Sequence, residues 1–138
     1  MSSETAIDLI LLYVPEFRSA FNANLSPRYG AIEYRVAGDF ADFVRYLTEL
    51  DSAPARSEWT GDLRDDESLL IRCMLVLERW AIDPDSGTRD LLGAGFLEMF
   101  SEPELEVLAP HVLDVTWQSL QQFYPKHFGD RTRPAPPY

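Results

Sequence analysis

Apolar residues recur at helical spacing along most of this chain. Ile7, Ile10, Leu11, Val14, Phe17 and Phe21 form one stripe, interrupted at Pro15, whose missing N–H predicts a break between Val14 and Pro15. Ser26 before Pro27 marks a second start, because a serine oxygen caps free N–H groups and proline suits a first turn. Residues 28–37 carry two periods at once. Ile32, Tyr34 and Val36 alternate with Glu33 and Arg35 as in a strand, whereas Tyr29, Ile32, Val36 and Phe40 fit a helix. A lone short strand has no legible partner in this chain, so the helical reading is preferred. Asp39 then opens a clearer helix, with Phe40, Phe43, Val44, Leu47 and Leu50 on one face.

Residues 51–66 hold Pro54, Gly61 and a cluster of charges, and read as a long loop. The stretch that follows, about 66–82, contains Leu69, Leu70, Ile71, Cys73, Met74, Leu75, Val76, Leu77 and Trp80. Only Asp65, Arg72 and Arg79 form a polar stripe, so this helix is expected to be buried nearly all round at the centre of the fold. The turn Asp83-Pro84-Asp85-Ser86-Gly87 ends it. A helix over Thr88–Phe100 follows, in which Gly93 and Gly95 read as a close packing contact or a weak point. Ser101 with Glu104 matches a capping box and starts a short helix ending at Pro110. The last helix, about His111–Tyr124, turns Val112, Leu113, Thr116, Trp117, Leu120 and Phe123 inwards. Beyond Pro125, residues 126–138 combine Arg131 and Arg133 with Pro134, Pro136 and Pro137, and predict an extended tail. The expectation is an all-α domain over residues 1–125, with six or seven helices around the central one, and a tail behind it.

A length of 138 residues suits one such domain. The net charge of −11 adds something periodicity does not: residues 39–106 hold 17 Asp and Glu against 6 Arg, while the flanks cancel. A field of that sign repels nucleic acid and anionic lipid and favours a basic protein partner. The same charge also serves solubility alone. The single cysteine, Cys73, lies in the most apolar stretch and predicts a buried thiol in a reducing compartment. There is no leader-like N-terminal pattern and no apolar run near the ~20 residues that cross a bilayer, so a cytoplasmic protein is expected.

Candidate chemistry is sparse. His111, His127 and Cys73 have no spacing that defines a nucleophilic site, and no cofactor or metal motif is legible. Asp83, Asp85 and Gly87 suggest a calcium loop, but such a loop needs glycine at its sixth place and Glu at its twelfth. Here glycine comes fifth and Ala94 twelfth, so a turn with a helix cap is the better reading. Gly93-Ala94-Gly95 lacks the third glycine and the lysine of a phosphate cradle. Asp62, Asp65, Asp66 and Glu67 are either an acidic first turn favoured by the helix dipole or a place where basic side chains dock. Trp59, between Glu58 and Gly61, is either an interface anchor or a staple onto the core. The partner surface is therefore expected at Glu58, Trp59, Asp62, Asp65 and Asp66, with Asp83, Asp85 and Asp90 second.

The segments GDFADFVRYLTEL, DDESLLIRCMLVLERW and DLLGAGFLEMF, over roughly residues 38–100, resemble a family of small helical bacterial proteins of unknown function. Proteins that look like this often act as cognate neutralisers of toxins. The resemblance therefore implies an immunity protein without catalytic residues, binding a basic toxin domain. The alternatives are a homo-oligomeric adaptor using a helix face counted above as core, and an enzyme whose site has no legible motif.

Overall fold

The break expected at Pro15 ends the first helix. In a computed structural model, which describes residues 1–18, 32–48 and 63–135, α1 runs Ser3–Tyr13 and Pro15–Phe17 form a single 3-10 turn. The Ser2 hydroxyl accepts from Thr5 N–H at 3.1 Å and caps α1. Helix α2 spans Ile32–Leu47, so the double period resolves as helix over the described residues 32–37. Asp39 lies inside α2 and does not open it: Val36, Ala37, Phe40, Ala41, Phe43 and Val44 form one unbroken buried face. The start at Ser26 and Pro27 falls outside the described residues.

Helix α3 covers Glu67–Ile82, capped by Asp66, whose carboxylate accepts from Ser68 N–H at 3.0 Å and from its hydroxyl at 2.7 Å. Leu69, Cys73, Met74, Val76, Leu77, Trp80 and Ala81 are buried, but Ile71, Leu75 and Ile82 are exposed. The central helix is thus buried on one broad side rather than nearly all round. Helix α4, Ser86–Asp90, starts earlier than expected because Asp85 caps it, accepting from Gly87 N–H at 2.8 Å. Its run continues as a π-turn over Leu91–Phe96 and a 3-10 turn over Leu97–Met99. The capping box at Ser101 and Glu104 starts α5, Glu102–Leu108. Helices α6, Asp114–Phe123, and α7, Pro125–Phe128, complete an all-α array without strands among the described residues.

Aromatic edges lock the array together. The turn after Pro15 drives Phe17 into the core, with ring centroids 5.5 Å from Phe40 and 5.6 Å from Phe43. Phe40 meets Trp80 at 6.2 Å and Phe96 at 5.7 Å, so α1, α2, α3 and the π-turn share one aromatic cluster. Trp80 Nε1 donates to Ala6 O at 2.9 Å and ties α3 to α1. The N-terminus of α6 has no cap of its own. Glu78 of α3 supplies one, its carboxylate accepting from Val115 N–H at 3.0 Å, Thr116 N–H at 2.8 Å and the Thr116 hydroxyl at 2.9 Å.

Residues 125–135 pack on the domain where the sequence suggested a tail. Phe128 is fully buried, its ring 5.6 Å from Trp117 in an edge contact. Gln121 Nε2 donates to Phe128 O at 3.2 Å, and Arg133 Nη2 donates to Val112 O at 2.7 Å. The buried ring and these bonds hold the segment without a regular helix. No helix among the described residues is long and apolar enough to cross a membrane.

Candidate functional site

The change of pitch at Leu91–Phe96 brings two glycines to the surface of contact with α2 and α6. A methyl group on Gly95 would lie 3.0 Å from Ala37 Cβ and 3.4 Å from Tyr34 Cδ1. One on Gly93 would lie 3.1 Å from Phe123 Cζ, and one on Gly38 would lie 3.8 Å from Met99 Cε. Tyr34, Met99 and Phe123 are 39%, 43% and 46% exposed. Each of these large side chains therefore rests on a glycine, held down on one side and open to solvent on the other.

Three adjoining hollows surround them. One of about 540 Å³ lies between α4 and α6, with Ser86, Arg89, Asp90, Gln118, Gln122 and Phe123 among its walls. A second of about 220 Å³ is lined by Asp90, Gly93, Ala94, Glu98, Phe123 and Tyr124. A third of about 420 Å³ runs along α2, past Tyr34, Arg35, Asp39, Asp42 and Met99. Asp90 and Phe123 belong to both the first and the second hollow, and exposed Ala94 to both the second and the third. The result is one surface with apolar anchors and a rim rich in carboxylates, the composition of a protein-docking patch.

Its potential acts on its own tyrosines. Tyr34 donates to Asp90 Oδ2 at 3.4 Å, and burial, reinforced by the Asp90 charge, pushes the phenol above its ordinary value. Burial and the Glu98 charge push Tyr124 in the same direction. At the α2 end, Arg45 gathers Asp42 at 3.0 Å and Glu104 at 2.9 Å, joining α2 to α5.

Of the acids expected to meet a partner, Glu58, Trp59's neighbour, lies outside the described residues, as do Trp59 and Asp62. Asp65 is exposed at the turn before α3. Asp66 caps α3 and pairs with Arg72 at 3.1 Å; its bonds from Ser68 hold its carboxyl below the ordinary range. Asp83 accepts from Asp85 N–H at 2.9 Å and from the Met1 amine at 3.2 Å, which lower it in the same way. Asp85 caps α4. Asp90 is the one member of the set that lines the patch. Glu98, Tyr124 and the three anchors were missed because Tyr34 sat in an ambiguous stretch and Phe123 fell on an inward helix face. The legible signal was Gly93 and Gly95 two apart within a helical run.

Chemistry elsewhere is limited by burial and pairing. Cys73 is fully buried, and desolvation pushes its thiol up, away from a reactive thiolate. His127 and Arg131 both bond Glu106. No group of three or more His, Cys, Asp or Glu among the described residues is placed to hold a metal ion. Comparison of the chain with family models, characterised proteins and solved structures finds no match.

Proposed function

We propose that this chain is a non-enzymatic acidic protein-binding domain that docks a basic partner, and most specifically a bacterial immunity protein that occludes a cognate toxin domain. The observation that carries the reading is the patch of Tyr34, Met99 and Phe123 among Asp39, Asp42, Asp90 and Glu98. The resemblance of residues 38–100 to small bacterial neutralisers supports its more specific form, and the buried thiol suits a reducing cytoplasm. The carboxylates steer a basic partner into encounter, and the apolar anchors set how long the complex lasts. Neutralisation is then steric, with no bond made or broken.

The test is capture of the partner by the tagged chain from its native lysate at low and high salt, followed by affinity measurement with the purified pair. Tyr34→Ala and Phe123→Ala are each expected to weaken binding by about 2 kcal/mol, the scale of an interface hot spot. Unchanged affinity in both variants would remove the patch from the interface. A second reading, self-association, has its own observation: Ile71, Leu75 and Ile82 lie exposed along α3. Light scattering separates the two, because a stable homodimer through α3 favours the adaptor and a monomer favours the neutraliser.

A further inference from the structure

The molecule holds two of its own arginines by the same device. Arg45 has its Cζ 5.5 Å from the Phe100 ring centroid; its Nε and Nη2 donate to Glu104 at 3.1 and 2.9 Å, and its Nη1 donates to Asp42 at 3.0 Å. Arg131 has its Cζ 5.1 Å from the Phe128 ring, and both of its Nη atoms donate to Glu106, one of them at 3.0 Å. In each case an aromatic ring faces the guanidinium and carboxylate oxygens take its N–H groups.

The hollow beside the π-turn offers that set a third time. Its walls are the Phe123 and Tyr124 side chains and the Asp90 and Glu98 carboxylates, around buried Gly93. None of the described residues lining it is basic. Its volume of about 220 Å³ falls below the ~300 Å³ at which sites for drug-sized ligands begin, and suits one side chain. Two carboxylates and two rings match a planar fork of donors better than the point charge of a lysine.

We infer that this hollow is a socket for one arginine side chain of a basic protein partner. The inference rests on the protein-binding reading above and adds the chemistry that the partner must present. Gly93 makes the socket possible, because any side chain there would displace the Phe123 ring.

The test is an NMR titration of the full chain with the capped tripeptide acetyl-Ala-Arg-Ala-amide. Expected are saturable amide shifts confined to residues 90–98 and 123–124, and their loss when citrulline replaces the arginine. Glu98→Gln, at an exposed position whose folding the same spectrum verifies, is expected to weaken the peptide about tenfold, the loss of one charged hydrogen bond. Shifts that fail to saturate, map elsewhere, or persist with citrulline overturn the socket. So does a Glu98→Gln variant that binds the peptide as tightly as the unmodified chain. The two readings fail separately. A partner held equally by the unmodified chain and Glu98→Gln sinks the socket alone, whereas a bound peptide with no basic partner captured sinks the protein-binding reading alone.

Discussion

Glu78 belongs to α3 but stabilises the start of α6, and it does so with three accepted hydrogen bonds. Removing it leaves part-buried N–H groups at a positive helix end. Glu78→Ala is therefore expected to cost about 1.5–3 kcal/mol in urea unfolding, and Glu78→Gln, which keeps an acceptor but not the charge, less. Phe128 is a second residue of long reach. Its burial against Trp117 predicts that Phe128→Ala costs about 3–5 kcal/mol, as for other core aromatics, and frees the segment after α6 to proteolysis. A surface tail would lose almost nothing. Glu16 gives a prediction in pH. Arg72, bonding it at 2.9 and 2.6 Å, holds its carboxyl below the ordinary 4.5. Its contribution is thus fully present above pH 4.5 and lost as pH falls through the lower folded value. The stability gap between the protein and Glu16→Gln, followed by urea midpoints, should be constant above pH 4.5 and close below it.

At the scale of elements, what the sequence showed was what is local. Pro15, Asp66, Asp85 and the Ser101–Glu104 box all act within a few residues of themselves, and each sets an observed boundary. The start of α6 was misplaced because its cap comes from residue 78, far away in sequence. Ile71, Leu75 and Ile82 look like core by composition, and only the packing of neighbours on the other side shows that they are not. The π-turn was invisible because a period of 3.6 residues was assumed throughout the run. Its two glycines are expected to respond differently. On Gly95 a methyl group meets the Ala37 Cβ of a packed helix, so Gly95→Ala should cost about 1–3 kcal/mol by overpacking. On Gly93 it meets only an exposed ring that can swing away, so Gly93→Ala should change stability little while filling the hollow. Thermal unfolding of the two variants checks the contrast.

For the whole molecule, charge was legible and its placement was not. Counting residues locates the net charge of −11 in the middle of the chain, but not which carboxylates face outwards together. Several of the acids singled out act as caps or ion-pair partners, and those that share a surface come from α2, α4 and the turn behind it. Association with a basic partner should therefore slow as salt rises, with dissociation nearly unchanged, in stopped-flow or biosensor kinetics. The π-turn gives the molecule a fixed phase as well as a contact. Each residue of an α-helix turns the chain by about 100°, so the extra residue wound into Leu91–Phe96 sets the angle at which everything after it meets everything before. Deleting Ala94 would let that segment wind as an ordinary α-helix and swing α5, α6 and α7 out of step with α2 and α4. A one-residue deletion at this exposed position should thus harm the protein far more than any substitution there: the length of this segment, more than its composition, is what the fold depends on.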